Sequence, residues 1–103
     1  KKNLPDYLNL PDINSDVISN NYILSFYIDK KKKKKFIGYM KKNNIICRTI
    51  YEKLLNENHV LKPIIKTNLS NAESCKKNLI SIPSHEKLSL KQFMHIINKI
   101  KEF

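Results

Sequence analysis

Residues 70–103, SNAESCKKNLISIPSHEKLSLKQFMHIINKIKEF, decide the fold. Two stretches of the form S/T-x-x-E/Q open helices in this segment. Ser70-Asn71-Ala72-Glu73 predicts a short helix through about Lys77, and Ser89-Leu90-Lys91-Gln92 predicts a longer terminal one. Between them Leu79-Ile80-Ser81-Ile82 is too short and too β-branched for a helix. It reads as a strand that Pro83 ends, because proline cannot donate to a ladder. In the terminal helix the apolar positions Leu90, Phe93, Met94, Ile97 and Ile100 recur at helical spacing and predict its inner face.

Upstream, Tyr22-Ile23-Leu24-Ser25-Phe26-Tyr27-Ile28 is a seven-residue aromatic and branched run, read as a mostly buried strand. Lys30–Lys35 reads as an exposed loop, since adjacent like charges repel and stay solvated. Phe36, Ile37, Tyr39 and Met40 then share one face of a helix of two to three turns. Asn43-Asn44 ends it, because Asn tolerates the left-handed conformation better than other residues with a side chain. Ile45–Ile50 reads as another strand. Tyr51–Leu69 carries no sustained period, is broken by Pro63, and predicts a long loop with a short helical turn. Residues 1–21 hold Pro5, Pro11 and several Asn among Leu4, Leu8, Leu10, Ile13 and Ile18. They predict an extended connecting segment with some anchoring side chains. The expected fold class is α+β: a small, mostly antiparallel sheet of about three strands with helices packed on one face, in two layers.

Composition bounds the function. The chain has 103 residues, 41% of them hydrophobic, which suits one globular domain. No apolar run approaches the ~18 residues of a membrane span, and the first residues lack the apolar core of a signal peptide. The first residue is Lys, which predicts a trimmed chain or a piece of a longer one. Cys47 and Cys75 form no C-x-x-C and read as ordinary cytosolic thiols, implying a cytoplasmic protein. The net charge of +11 invites a nucleic-acid reading. However, 19 of the 20 basic residues are Lys, which lacks the bidentate fork of Arg, and no aromatics alternate with the lysine run to stack bases. A/T-rich codons for Lys, Asn and Ile are a sufficient cause of most of the charge.

Catalytic constellations are missing from the sequence. His59, His85 and His95 show no H-E-x-x-H spacing, and one glycine, Gly38, cannot build a phosphate-cradling loop. His85 and Glu86 are sequence neighbours and point apart. Arg48 is the only Arg in a lysine-dominated chain, placed just ahead of the long loop. That suggests either a use for guanidinium geometry or an ordinary surface ion pair.

The chain resembles the C-terminus of the DegT/DnrJ/EryC1/StrS family, pyridoxal-phosphate-dependent sugar aminotransferases of the aspartate aminotransferase fold type. Asn71, Ala72 and Glu73 match the family's "NAE" helix start. Ser81, Pro83, His85, Leu88 and Ser89 match its "SLP-x-H-P-x-L-S" strand and turn, and Ile97, Ile100, Lys101 and Phe103 match its final helix. Asn43–Tyr51 follows the course of "G-I-x-T-R-P-x-x-Y", with Arg48 on the frequent Arg and Asn44 in place of Gly. Asn9-Leu10-Pro11 resembles the "L-x-L-P" that precedes the first strand. The departures are Lys53 and Leu55, where the family has Pro and His, and Glu86, where it has Pro.

The resemblance implies that residues 22–103 are the C-terminal small domain of an aminotransferase acting on a nucleotide-linked keto sugar, with glutamate as the expected amino donor. It implies pyridoxal 5'-phosphate held mainly by a large domain of the same enzyme, which carries the catalytic Lys, and a homodimer when intact. No catalytic or cofactor-binding residue is assigned within this chain. Arg48 and Tyr51 are the candidate substrate-binding residues, with Arg48 able to grip an anion bidentately. The competing readings are a Lys-rich module that binds nucleic acid or another polyanion, and a catalytically silent fragment.

Overall fold

The computed structural model describes residues 4–12, 14–20, 22–64 and 67–103. A three-stranded antiparallel sheet runs in the order β1 (Leu8–Asn9), β2 (Leu24–Ile28), β3 (Leu79–Ile82). Leu8 pairs with Ile28, Phe26 with Ile80, and Leu24 with Ile82. Since side chains alternate along a strand, this register puts Leu24, Phe26, Ile28, Ile80 and Ile82 on one face. Helices α1 (Lys30–Lys42) and α3 (Leu90–Glu102) bury that face with Phe36, Met40, Ile96 and Ile100, completing an α+β domain. Helix α2 (Ser70–Asn78) meets Tyr27 on the reverse side, where the phenol lies 3.7 Å from Cys75 Sγ.

Strand β1 comes from the connecting segment, and Leu8, 3% exposed, is its anchor, with Leu4 and Leu10 packed alongside. Ile18 anchors nothing, at 97% exposed, and Ile13 lies outside the described residues. Tyr7, Phe36, Tyr39 and Phe103 stack edge-on or tilted, with ring centroids 5.1 to 6.1 Å apart. The Tyr7 hydroxyl donates to the Ile100 carbonyl, tying the start of the chain to its last helix.

Four expectations need correction. The lysine run is not a loop: α1 starts at Lys30. Asp29 caps it, accepting from the Lys31 amide at 2.7 Å and offering a negative group to a helix start that has no acidic residue. Lysine is a good helix former, and its ammonium groups can stay in water while the stems lie along the surface. Second, Ile45–Ile50 is not a strand. Among the described residues only Arg48 pairs, in an isolated bridge to Ser81, and the Ile45 amide is spent on the Met40 carbonyl in the cap of α1. Third, Ser70 does not cap α2. Leu69 takes the N-cap position with no side-chain bond, and Asn68 Oδ1 accepts from the Ser70 amide instead.

Fourth, the inner face of α3 is rotated. Ile96 and Ile100 are buried, while Leu90, Phe93 and Met94 are exposed. Two apolar stripes lie side by side on this helix, and the sheet accepts the one that carries Ile96. The cap itself is as expected. Ser89 Oγ accepts from the Gln92 amide at 3.2 Å, and Gln92 Oε1 accepts from the Ser89 amide at 2.9 Å. Strand β3 runs Leu79–Ile82 as read, and the long loop holds a single short 3-10 turn at Leu55–Glu57 among the described residues.

Candidate functional site

The site is built where α1 hands the chain back to the sheet. Asn44 takes φ 62°, the left-handed conformation its side chain tolerates. The Asn44 amide bonds the Lys41 carbonyl at 3.0 Å and the Ile45 amide bonds Met40 at 2.9 Å, a complete Schellman closure. Buried Ile45 packs in the same core cluster as Met40, which fixes the direction of exit. The next residues alternate. Ile46 points out, Cys47 is half-buried, and Arg48 is exposed. Burial pushes the Cys47 thiol up to about 11, so this sulfur stays protonated and unreactive near neutral pH.

Arg48 is mounted rigidly. Its amide donates to the Ser81 carbonyl at 2.9 Å and its carbonyl accepts from the Ser81 amide at 2.8 Å. Ser81 Oγ adds a bond to the same carbonyl at 3.3 Å. Directly opposed residues of an antiparallel pair point to the same face, so the Arg48 side chain lies over the reverse face of the sheet. There it lines a cavity of about 480 Å³ with Tyr22, Ile23, Ile46, Ser84 and His85. Ile46 and Pro83 also wall a more apolar groove of about 470 Å³ against α3, lined by Leu88, His95 and Ile96.

Tyr51 stands elsewhere. It lines a small apolar cavity of about 150 Å³ with Ile50, Leu54, Ala72, Cys75 and Leu79. The two sequence-chosen residues therefore do not share a cavity. His85 does share one with Arg48; sequence reasoning matched it to the family's turn but did not choose it as a site residue. Pro83 marked the strand end, but only the Arg48–Ser81 pairing shows that the strand end sits beside Arg48. Of the other histidines, His95 Nε2 lies 3.1 Å from the Asn43 carbonyl, and His59 is exposed in the long loop.

These residues do not fit pyridoxal phosphate. A Schiff-base lysine needs a dry pocket or a neighbouring cation to lower its pKa. Lys33 alone shows a lowered pKa among the described lysines, caused by burial, and its Nζ donates to the Lys76 carbonyl at 2.9 Å. That contact staples α1 to α2. Lys33 lines none of the cavities described above. Among the described residues no helix is long and apolar enough to cross a membrane.

Comparison with solved structures finds this fold in several aminotransferases. A DegT/DnrJ/EryC1/StrS aminotransferase from Brucella abortus superposes with a TM-score of 0.83 at 21% identity, over 95% of this chain and 26% of that one. An aminotransferase of Helicobacter pylori involved in the biosynthesis of pseudoaminic acid gives 0.78 at 20%, over 95% and 27%. A Bacillus subtilis protein solved with bound pyridoxamine phosphate gives 0.79 at 11%, over 94% and 23%. The chain thus spans about a quarter of the length of each of these relatives. Among curated proteins no sequence match is found. The sequence profile of one family covers residues 3–101, nearly the whole chain. On that match, and with the fold in agreement, the chain belongs to the DegT/DnrJ/EryC1/StrS aminotransferase family.

Proposed function

We propose that residues 22–103 are the C-terminal small domain of a pyridoxal-phosphate-dependent sugar aminotransferase, and that residues 1–21 lead into it from a large domain carrying the catalytic Lys. The intact enzyme moves an amino group from glutamate to a keto sugar carried on a nucleotide. It works in the cytoplasm as a homodimer. The observation that carries this reading is the family match along residues 3–101. The cofactor supplies the electron sink, and this chain's part is to bind and orient substrate. Arg48, on its fixed mount, and Tyr51, on a separate cavity, are the proposed substrate-facing residues. The polyanion-binding reading is less favoured: the lysine run is the capped start of α1, and its lysines have Asp29, the Lys76 carbonyl and the Tyr7 ring as neighbours.

The test uses the native polypeptide that contains residues 1–103, loaded with pyridoxal phosphate. Supplied with ¹⁵N-glutamate and a nucleotide-linked keto sugar, it should place ¹⁵N on the sugar. Arg48→Lys should raise KM for one substrate while cofactor content stays unchanged. A native product that neither takes up the cofactor nor transfers label overturns the reading.

A further inference from the structure

The apolar groove of about 470 Å³ lies between the chain leaving α1 and the first turns of α3. Its floor is buried, with Ile45 3% and Ile96 4% exposed. Ile46 stands on its rim at 70% exposed, on backbone that the closure at Asn44 holds in place. Most polar groups around the groove are already spent within the chain. Gln92 Oε1 accepts from the Ser89 amide at 2.9 Å and from Ser89 Oγ at 3.0 Å, and His95 Nε2 lies 3.1 Å from the Asn43 carbonyl. The Lys91 ammonium makes no ion pair among the described residues, and no carboxylate lines the groove. More cations stand at the ends of its walls. Lys41 and Lys42 close α1 just before Asn44, and Lys87 precedes Leu88.

An apolar trough bordered by unpaired cations fits a bulky apolar side chain with carboxylates on either side. Because Ile46, Lys91, Gln92 and His95 are exposed, the trough is open to water. It suits a peptide laid along it better than a small molecule, which it would not enclose. A second copy fits poorly, since it brings another net charge of +11 to the same surface. We infer that this groove docks an acidic peptide segment of a partner protein. An apolar anchor sits on Ile45 and Ile96, and the flanking carboxylates meet Lys91 and the lysines at the ends of the walls. This surface uses neither Arg48 nor Tyr51, and it does not rest on the aminotransferase reading.

The test is fluorescence anisotropy at about 0.15 M NaCl, with the native polypeptide that contains residues 1–103. The probes are three labelled peptides, Glu-Asp-Leu-Phe-Asp-Glu, Lys-Lys-Leu-Phe-Lys-Lys and Glu-Asp-Ser-Ser-Asp-Glu. Only the first, which joins both features, should bind saturably. Lys91→Glu should weaken it about five- to tenfold and bring the lysine peptide into measurable binding. Ile46→Ser should weaken it by about fivefold. Both side chains are exposed, so the thermal melt of each variant should match the parent. The triple variant Lys31→Gln, Lys34→Gln, Lys35→Gln should bind as the parent does. Equal binding of the serine peptide would reduce the contact to charge alone, and equal binding of the lysine peptide would reduce it to apolar contact alone. Either overturns the inference, as does loss of binding in the triple variant in place of Lys91→Glu. No binding of the first peptide overturns it too, the groove then being closed or covered by the rest of the polypeptide. Sedimentation that shows a dimer abolished by Ile46→Ser assigns the groove to a second copy and overturns the partner.

Discussion

Asn44 shows how one residue directs the chain. Its φ of 62° costs little for Asn, less for Gly and most for a branched side chain. Asn44→Gly should leave stability within a few tenths of a kcal/mol of the parent or raise it, whereas Asn44→Val should lower it by roughly 1–2 kcal/mol. Urea midpoints at constant slope measure both. Equal midpoints for the two variants would mean that the left-handed turn is absent in solution.

Tyr7 offers a second residue-scale test through pH. Burial, then the nearby Tyr39, pushes its phenol from 10.0 up to about 12. The unfolded chain therefore releases this proton first. The stabilisation is complete below pH 10.0 and drains away as pH rises through about 12. Cys47, raised from 9.0 to about 11, drains in the same direction over a lower window. Tyr7→Phe should cost about 1 kcal/mol at pH 8 for the lost bond to the Ile100 carbonyl. It should then lose less stability than the parent between pH 9 and 12. Parallel pH profiles of the two proteins would show that the phenol is not buried.

At the scale of elements, the caps decide where helices begin. Ser89 makes the reciprocal bonds of a capping box and Ser70 does not, although both fit the same pattern. Ser89→Ala should destabilise the domain by about 1 kcal/mol and Ser70→Ala by only a few tenths. Thermal melts of the two variants compare them directly. A larger loss at Ser70 would overturn the assignment of α2's first residue. The same contrast explains what the sequence left open. Pattern alone does not say that Asn68 reaches the Ser70 amide first, nor that Asp29 can start a helix of six lysines. In both places a neighbour one or two residues upstream captured the free amides.

At the scale of the whole molecule, charge is the dominant feature. With a net charge of +11, folding gathers like charges and screening should relieve their repulsion. Raising NaCl from about 0.05 to 0.5 M, which shortens the Debye length severalfold, should raise the melting temperature. The rise should shrink in the triple variant Lys31→Gln, Lys34→Gln, Lys35→Gln. A melting temperature that falls with salt would show that ion pairs such as Lys76–Glu57 outweigh the repulsion.

Sequence by itself determined the local pieces whose cause is local. Pro83 ended β3, Ser89 and Gln92 capped α3, and Asn44 supplied the left-handed turn. Tertiary structure alone decided what depends on distant partners. Leu8 joined the sheet through Ile28, Ile96 turned inward in place of Met94, and Arg48 met the turn holding His85 by pairing with Ser81, 33 residues away. Short-range periodicity reports which residues share a stripe on one element. Which stripe is buried, and which side chains converge on one cavity, is set by contacts between elements that no local pattern encodes.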